Sequence, residues 1–448
     1  MDCRGVNVVV LGLAQSGLAS VELLAAKGAL VSACDAQPLD RLPDAAAALA
    51  RLHVPFRLQS REALADAAWI VVSPGVPADL DLLEEARRRG ARVIGEVELA
   101  GYYLQGDIIG ITGSNGKTTT TALVGHLLAE CGIPVQVGGN IGTAPATAMV
   151  ATSRPGQWNV LELSSFQLET IERFHARIAV ALNVTQDHLD RHHSFERYAG
   201  AKARLFETQA PGDYAVLNAG DPVTSEYASK TPGHPVWFSL TRQVSPGIWL
   251  DGNLLRFDGK PLLDAQDIPL RGRHNIENVM AASVAAALAG APLEGIAAAI
   301  RSFRAVEHRL EYVATVEGVD FYNDSKATNV DSTLKAIDAF PGRLWIILGG
   351  KDKGSDYSPL VAPLQAKARA ALLIGAATPL IAARLTGAVP VVECGTLESA
   401  VATAFRDATP GDTVLLAPAC ASFDQFQNYG HRGKVFKELV ARLAAGRG

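Results

Sequence analysis

Short apolar runs, each followed by a glycine turn and a helical pattern, mark the start of the chain. Val8 to Leu11 is the first run, Gly12 follows it, and the helical pattern extends from Ser16 to Lys27. Another run, Leu30 to Cys34, ends at Asp35. Strand, turn, helix and strand form a βαβ unit, whose right-handed crossover predicts a parallel sheet. Two more short runs continue this segment, at 70–72 and 93–94.

The same order of elements starts twice more along the chain. Asp107 to Thr112 is predicted as a buried strand that leads through a glycine-rich turn into a helix from Lys117 onward. A third start lies near Val306. Further buried strands are predicted at 160–161, 178–182, 319–323, 344–348 and 414–416. We therefore predict an α/β protein whose domains comprise residues 1–97, 98–305 and 306–448.

Two stretches near the end of the second segment differ from this pattern. Residues 232–273 are rich in glycine and proline and weakly periodic, which predicts short strands and turns at one edge of a sheet. Residues 279–300 are rich in alanine, but Pro292 and Glu294 interrupt them. Such an interrupted stretch predicts two packed helices rather than a membrane span.

Composition agrees with a globular protein of several domains. The 448 residues are 48% hydrophobic and 19% charged, with a net charge of −5 and no basic stripe, so nucleic acid is not an expected partner. Five scattered cysteines without a C-x-x-C pair indicate packing residues in a reducing compartment. The start of the chain lacks the pattern of a secretory signal, and we expect a cytoplasmic protein with no membrane attachment.

The clearest chemical motif is Thr112 to Thr118, T-G-S-N-G-K-T, between the predicted strand and helix. A glycine-rich turn at a helix N-terminus presents successive backbone N–H groups to phosphate. Lys117 is expected to reach the β- and γ-phosphates of a nucleotide, and the Thr118 hydroxyl to bind Mg²⁺. The spacing departs from the usual P-loop, because Ile111 stands where its first glycine is expected.

A P-loop calls for an acidic residue on a neighbouring strand, and Glu162 follows the apolar pair at 160–161. Residues 187–193 are dense in aspartate and histidine and could bind zinc, but they lack H-E-x-x-H. We favour His188 at a nucleotide site beside a second Mg²⁺, with a structural role or zinc as the alternatives. His192 and His193 are predicted to be surface residues.

Gly12 to Gly17 and the later Asp35 partly match the fingerprint of a dinucleotide-binding domain. Ala14 replaces the middle glycine, against which a pyrophosphate normally packs. The pattern predicts a nucleotide-shaped pocket and leaves NAD(P) open. A nicotinamide-dependent oxidoreductase is one alternative function, and a nucleotide-operated switch protein is another.

Polar clusters follow three predicted strands of the last segment, at 323–329, 348–354 and 418–424. Each cluster alone could be a helix cap or a turn. Ligands of parallel α/β sheets bind outside the carboxyl ends of the strands. Together the clusters therefore predict a substrate pocket.

Taken in order along the whole chain, these motifs resemble the Mur ligase family, the amide-forming enzymes of peptidoglycan precursor synthesis. The matching segments are 112–118, 138–142, 161–169, 183–191, 274–278, 308–311, 323–329 and 418–426. The resemblance is strongest to the glutamate-adding branch. It implies a Rossmann-like N-terminal domain for a UDP-sugar, a central P-loop ATPase domain with a mostly parallel sheet and a Rossmann-like C-terminal domain for glutamate.

The resemblance also implies an ATP and metal site. The implied ATP-binding residues are Gly113, Ser114, Asn115, Gly116, Lys117, Thr118, Thr119, Asn275, Asn278, Arg309, Asp324 and Lys326. Two Mg²⁺ ions would be bound by Thr118, Glu162, His188 and Lys202, and the implied catalytic residues are Lys117, Glu162, His188 and Lys202. Lys202 matches a lysine that the family carbamylates with CO₂. The ammonium group of an unmodified lysine would be repelled by Mg²⁺, whereas a carbamate would provide oxygen ligands for the ion.

The two organic substrates implied by the resemblance are UDP-N-acetylmuramoyl-L-alanine and D-glutamate. The UDP-sugar would contact Ser16, Asp35, Ser73, Gly75 and Asn140, although Gln15, Ala36 and Gln37 differ from the expected uracil contacts. Glutamate would contact Thr328, Lys353, Ser422 and Tyr429, whose lysine and hydroxyl groups suit carboxylates.

The reaction implied is attack of the alanyl carboxylate on the ATP γ-phosphate, followed by attack of the glutamate amine on the acyl phosphate. We expect a monomer whose C-terminal domain closes when ATP binds, a change that small-angle scattering can measure. A sister Mur ligase or a folate polyglutamylating enzyme is the alternative within the same superfamily.

Overall fold

A computed structural model of the protein describes residues 2–140, 144–304 and 306–446. Three β-sheets occupy three successive parts of this described chain. Helices follow most of the strands and cover the sheets, and the most central strands are almost entirely buried. Strands covered on both faces need nearly continuous apolar runs, which is the pattern seen in the sequence.

The N-terminal sheet has strand order β3-β2-β1-β4-β5 with every pairing parallel, which is a Rossmann-like arrangement. Its elements are β1 (Asn7–Leu11), α1 (Gln15–Ala26), β2 (Leu30–Asp35), α2 (Pro43–Leu52), β3 (Phe56–Leu58), β4 (Trp69–Val72), α3 (Asp81–Arg88) and β5 (Arg92–Gly95). The order reverses between β1 and β4. The carboxyl ends of these two strands therefore flank the crevice in which such sheets bind ligands.

The central sheet begins with β6 (Asp107–Thr112), which leads into α5 (Lys117–Glu130). The following elements are β7 (Val135–Gly139), α6 (Ala146–Met149), β8 (Trp158–Glu162), α7 (Ser165–Leu168), β9 (Ile178–Ala181), α8 (Leu189–His192), α9 (Phe195–Glu207), β10 (Tyr214–Asn218), α10 (Pro222–Glu226), β11 (His234–Ser239), β12 (Gly247–Asp251), β13 (Leu254–Phe257) and β14 (Lys260–Asp264). The strand order is β14-β13-β12-β11-β10-β9-β6-β8-β7. Pairings from β7 to β12 are parallel, and β13 and β14 form an antiparallel edge.

Two helices follow this edge, α11 (Arg273–Leu288) and α12 (Leu293–Ser302), and they lead to the last sheet. Its elements are β15 (Glu311–Val316), β16 (Val319–Asn323), α13 (Val330–Asp338), β17 (Leu344–Gly349), α14 (Val361–Lys367), β18 (Ala368–Ile374), α15 (Thr378–Leu385), β19 (Val391–Gly395), α16 (Leu397–Asp407), β20 (Thr413–Leu416) and α17 (Tyr429–Ala445). The strand order is β15-β16-β20-β17-β18-β19, with only the β15–β16 pairing antiparallel in the described chain.

The chain divides into two compact units. Residues 1–267 and 277–302 form the first, with the N-terminal and central sheets, and residues 268–276 and 303–448 form the second. A helix, α4 (Glu96–Gly101), connects the first two sheets. Its Glu98 carboxylate is fully buried and accepts hydrogen bonds from the backbone N–H groups of residues 172–174 at 2.8–3.0 Å. The predicted boundaries at 97/98 and 305/306 remain predictions, and residue 305 lies outside the described residues.

Most of the elements expected from the sequence are present. The predicted βαβ start, the strand at Asp107–Thr112, the short strands at one edge and the two alanine-rich helices are confirmed. Strands β3, β7, β10, β15, β18 and β19 were not predicted. The five cysteines form no disulfide in the described chain, and Cys3, Cys34 and Cys420 are buried. Among the described residues, no helix has both the length and the apolar character needed to cross a membrane.

Candidate active site

The predicted phosphate loop lies between the carboxyl end of β6 and the start of α5. Gly113 has φ 152° and Gly116 has φ 87°, a backbone region that favours glycine. A Cβ atom at Gly116 would lie 2.2 Å from Asn278 Oδ1. The close approach of α11 and the left-handed backbone together explain why glycine is needed before Lys117. The backbone N–H groups at the start of α5 form a site suited to phosphate.

Side chains from the neighbouring strand end fix the conformation of this loop. Asn183, after β9, accepts from the Ser114 N–H through its backbone oxygen at 2.8 Å. Its side-chain oxygen accepts from the Asn115 N–H at 2.9 Å. The Ser114 hydroxyl lies 3.0 Å from both the Thr185 carbonyl and the Tyr198 hydroxyl. The Ser114 hydroxyl and the backbone N–H groups of Ser114 and Asn115 therefore fix the conformation of the loop.

Two lysine ammonium groups meet at the carbonyl oxygen of Gly113. Lys117 Nζ donates to it at 2.8 Å and to the Ser114 carbonyl at 2.9 Å, and Lys202 Nζ donates to it at 2.9 Å. Lys202 is almost completely buried and lies over the Tyr198 ring. Burial lowers the pKa of Lys202 well below its ordinary value, and the nearby Lys117 cation lowers it further, against the opposing effect of Asp187 and Glu162.

The predicted metal-binding oxygens lie close to this loop in the fold. Glu162 ends β8, which pairs directly with β6, and it is 1% exposed. The Asn140 side chain donates to Glu162 Oε1 at 2.9 Å, and the Asn140 N–H donates to the Glu162 carbonyl. Thr118 and Thr119 are buried in the first turn of α5. The motif at 138–142 continues past Asn140, but its last two residues lie outside the described residues.

His188 stands at the start of α8 with φ 53°, and its side chain is 40% exposed. Its ring contacts the edge of Phe166, with centroids 4.9 Å apart, and its Nε2 lies 3.6 Å from Asp187 Oδ2. Within the described chain, no group of three histidine, cysteine, aspartate or glutamate side chains could hold a metal ion. Any ion here would depend on oxygen atoms from other groups, as Mg²⁺ does when it binds nucleotide phosphates.

The prediction that His192 is a surface residue is wrong, whereas His193 is exposed as predicted. His192 is 4% exposed and stacks on Phe166. One ring nitrogen lies 2.9 Å from Ser165 Oγ and the other lies 3.1 Å from Glu169 Oε1. The single turn of α8 directs the His192 side chain inward. The sequence could not predict this orientation, because the short polar segment has no helical periodicity.

In the N-terminal sheet, several predicted UDP-sugar residues stabilise the first glycine turn. Asp35 accepts from the Leu13 N–H at 2.8 Å and from the Gln37 N–H at 2.9 Å. The Ser73 hydroxyl donates to the Gly12 carbonyl at 2.6 Å. The Ser16 carbonyl accepts from the Ser20 hydroxyl at 2.8 Å, one turn further along α1. These contacts bring the turn after β1 against the turn after β4, which contains Gly75.

The three polar clusters of the C-terminal unit follow β16, β17 and β20, whose carboxyl ends are neighbours. The Lys351 N–H donates to the Ala421 carbonyl at 2.8 Å, and the reverse bond is 3.1 Å. The Ala419 N–H donates to the Ala327 carbonyl at 2.9 Å. The loops that carry Thr328, Lys353 and Ser422 are therefore connected to each other. Ser422 is 2% exposed, whereas Lys353 is exposed.

Asp324 and Lys326 lie in the first of these loops. Burial raises the pKa of Asp324 to about 6, although the Arg309 and Lys326 cations favour its ionised form. The Lys326 ammonium lies 5.1 Å from the centre of the Tyr429 ring, a cation–π contact. Tyr429 is 37% exposed, so part of the ring remains accessible.

Asn275 and Asn278 lie one turn apart on α11 and are both buried. Asn275 Nδ2 donates to the Arg271 carbonyl at 2.6 Å, and Asn278 Oδ1 accepts from the Thr120 hydroxyl at 3.3 Å. Burial lowers the pKa of the neighbouring His274 to about 4, with Lys335 and Arg309 adding to the effect. His274 is therefore neutral at physiological pH.

Several residues with important positions were not found from the sequence. Asn183 and Tyr198 shape the phosphate loop, and Arg432 is fully buried beneath the C-terminal loops. Their signal in the sequence is weak, because each lies far along the chain from the group that it contacts. Asn183 alone had a usable signal, since it follows a predicted strand as Glu162 does.

Comparison with known proteins matches all three parts of the chain to domains of one protein family. Residues 6–95 match the Mur ligase MurD-like N-terminal domain, residues 111–286 the Mur ligase middle domain and residues 308–420 the Mur ligase glutamate ligase domain. The chain is 62% identical over 443 residues to a UDP-N-acetylmuramoylalanine–D-glutamate ligase of Solibacter usitatus, covering 99% of each.

Solved structures show the same fold at lower identity. A UDP-N-acetylmuramate-alanine ligase from Thermotoga maritima has a TM-score of 0.63 at 17% identity, over 98% of this chain and 100% of that one. A MurF ligase from the same organism, in complex with ADP, also has a TM-score of 0.63 at 17% identity, covering 86% and 91% of the two chains. With a P-loop in the central sheet and a close relative along its whole length, the chain belongs to the Mur ligase family.

Proposed function

We propose that this protein is an ATP-dependent ligase that joins D-glutamate to UDP-N-acetylmuramoyl-L-alanine in peptidoglycan precursor synthesis. The observation that carries the proposal is the 62% identity to the Solibacter ligase, which extends over 99% of both chains. Because the match includes the parts assigned to all three substrates, it supports the complete reaction. We place the reaction in the cytoplasm, where ATP is available.

ATP is the nucleotide that the phosphate loop suits best. The start of α5 presents backbone N–H groups, and Lys117 lies beside them with its ammonium on the Gly113 and Ser114 carbonyls. A bound γ-phosphate would compete for this ammonium, which would then stabilise the charge that develops during phosphoryl transfer. The resemblance to the family also assigns ATP binding to Thr119, Asn275, Asn278, Arg309, Asp324 and Lys326.

The residues around the loop fit Mg²⁺ and a carbamate on Lys202. Thr118 and Glu162 provide oxygen donors, and His188 provides a partly exposed imidazole. The buried Lys202 amine has a lowered pKa, and its neutral form is the one that reacts with CO₂. Bound Mg²⁺ would supply neutralisation of phosphate charge during the reaction.

The chain's own groups would then act in two steps. In the first, Lys117 stabilises the γ-phosphoryl group as the alanyl carboxylate attacks it and ADP leaves. In the second, the glutamate amine attacks the acyl phosphate and phosphate leaves. The incoming glutamate would be oriented by Thr328, Lys353, Ser422 and Tyr429. The UDP-sugar would be oriented by Ser16, Asp35, Ser73, Gly75 and Asn140. Exclusion of water is needed because acyl phosphates hydrolyse readily.

The test is phosphate release by the purified protein with ATP, Mg²⁺ and UDP-N-acetylmuramoyl-L-alanine, with D- or L-glutamate added separately. We expect release only with D-glutamate, together with a product whose mass is that of the UDP-muramoyl dipeptide. Release with L-glutamate alone would overturn the assignment of D-glutamate as the acceptor. Release with neither would overturn the choice of substrates, and a panel of other acceptors would identify a sister ligase.

A further inference from the structure

One arginine of the C-terminal unit is fully buried. Arg432 lies in the first turns of α17, and it is 0% exposed. Its Nη2 donates to the Ser325 carbonyl at 2.8 Å and its Nε to the Ser325 hydroxyl at 3.0 Å. Nη1 and Nη2 donate to the Cys420 carbonyl at 3.3 and 3.2 Å. One planar group therefore connects the loop after β16 with the loop after β20.

Further bonds extend this connection to the other parts of the proposed glutamate site. The Ser325 hydroxyl donates to the Tyr429 carbonyl at 2.8 Å. The Tyr357 hydroxyl lies 2.6 Å from Asp352 Oδ1 and 3.1 Å from Cys420 Sγ, so it connects the loop after β17 to the same centre. A Cβ atom at Gly350 would lie 3.2 Å from Arg432 Nη1, which shows how tightly the guanidinium is enclosed.

The surroundings of this cation are unusual for a group that only stabilises the fold. Its hydrogen-bond partners are neutral oxygens, and within the described residues it forms no ion pair with a carboxylate. Burial lowers the pKa of Arg432 to about 10, which leaves it charged at neutral pH. The Asp424 carboxylate favours the charged form, but burial of a cation that is hydrogen-bonded only to neutral oxygens remains costly. What it supplies is a rigid fork of N–H donors and a positive potential beneath the loops.

We propose that Arg432 is a positioning residue for the acceptor amino acid, setting the spacing of the loops that carry Thr328 and Ser422 and attracting the acceptor's carboxylates. This inference rests on the proposed function. Glutamate would bind between two loops, so it depends on their relative position. The ATP contacts predicted for this unit come from the first loop and Arg309, so ATP binding depends on that spacing much less.

The test compares Arg432→Met with the wild-type protein in the glutamate-dependent phosphate assay. We expect the KM for D-glutamate to rise at least about tenfold, while the KM for ATP changes by less than about threefold. In Arg432→Ala, added guanidinium chloride at low, non-denaturing concentration should lower the KM for D-glutamate again. Tetramethylammonium chloride at the same concentration should not.

Arg343→Met is the matched control, because it removes an arginine at the opposite end of the same sheet. Arg343 Nε bonds Asp412 Oδ1 at 2.7 Å, beside the amino ends of β17 and β20. Loss of that bond should lower the melting temperature without changing the KM for D-glutamate. The proposal is overturned if Arg432→Met changes only the melting temperature, or raises the KM values for ATP and D-glutamate equally.

Two milder variants test the same proposal if Arg432→Met does not fold. Arg432→Lys keeps the charge but loses the planar fork, and Tyr357→Phe removes only one hydroxyl. Each should raise the KM for D-glutamate by about threefold or more, and an unchanged KM in both would reject the proposal. A wild-type protein without any glutamate-dependent release would instead refute the proposed function, before any variant is compared.

Discussion

At the scale of single residues, burial changes the chemistry of several charged groups. Lys202 and Asp324 are both almost fully buried. Burial lowers the pKa of Lys202 and raises the pKa of Asp324, so it favours the neutral form of each group. Burial therefore makes the neutral amine of Lys202 and the protonated carboxyl of Asp324 easier to form than in water. Both residues were predicted from the sequence, but only the structure reveals how little water reaches them.

A prediction for Lys202 follows from its enclosed amine. Lys202→Ala should lower glutamate-dependent phosphate release at least about a hundredfold, because a carbamate could no longer form beside the phosphate loop. Added acetate should restore part of the rate, since it supplies carboxylate oxygens. Rescue by methylammonium instead of acetate would show that a cation is required. Lys260→Ala, at an exposed lysine of the sheet edge, should leave the rate unchanged.

The raised pKa of Asp324 predicts a pH-dependent stability. The folded-state pKa of about 6 lies above the ordinary 3.8, so folding favours the protonated form. This stabilisation is fully present below pH 3.8 and is lost as the pH rises through about 6. Asp324→Asn should therefore be more stable than the wild type at pH 8, by roughly 1–3 kcal/mol, and by less at pH 4.5.

Urea unfolding of both proteins at the two pH values measures this difference. Asp338→Asn, at an exposed carboxylate, is the control substitution. A difference between wild type and Asp324→Asn that is the same at pH 4.5 and pH 8 would contradict the assignment.

At the scale of elements, a strand, a turn and a helix produce the phosphate site. Residues 107–130 fold as β6, a loop and α5, in the order that the sequence predicted. The loop conformation requires more than this local order. Asn183 and Tyr198 approach it from β9 and α9, and Asn278 from α11, so three distant elements define one turn.

Two glycines that flank α5 allow a test of this packing. Gly116 precedes α5 and Gly132 follows it, and both have positive φ values, of 87° and 72°. A Cβ atom at Gly132 would have no neighbour within 4 Å among the described residues, whereas one at Gly116 would clash with Asn278. Gly132→Ala should cost only about 1–2 kcal/mol of unfolding free energy.

Gly116→Ala should cost more and should also weaken ATP binding at least about tenfold, because Asn278 and the loop must shift. Calorimetric titration with ATP and Mg²⁺ measures the affinity, and chemical unfolding measures the stability of both variants. Equal effects of the two substitutions on ATP affinity would show that strain in the backbone, rather than the Asn278 contact, determines the result.

At the scale of the whole molecule, the N-terminal and central sheets form one compact unit. Glu98 provides a physical reason, since its buried carboxylate binds three backbone N–H groups of the central part. Tyr102 donates a further bond to it. The connecting helix is thereby fixed to both sheets rather than acting as a free linker.

We predict that Glu98→Ala separates the unfolding of these two sheets. Removal of the buried carboxylate leaves the N–H groups of residues 172–174 without this acceptor, which should cost about 3–5 kcal/mol. Urea unfolding should then show an additional transition, and limited proteolysis should cut near residues 101–106. Glu84→Ala, which removes an exposed ion pair with Arg87, should do neither. A single unchanged transition in Glu98→Ala would count against this role.

The sequence by itself determined the order of α/β elements, the phosphate loop and the family, because these depend on local periodicity and on short contiguous motifs. It also identified the polar loops at the ends of β16, β17 and β20. Only the tertiary structure decided the inward orientation of His192, the meeting of Lys117 and Lys202 at one carbonyl and the buried fork of Arg432. These features join residues distant along the chain, and their burial depends on packing between elements that local sequence does not specify.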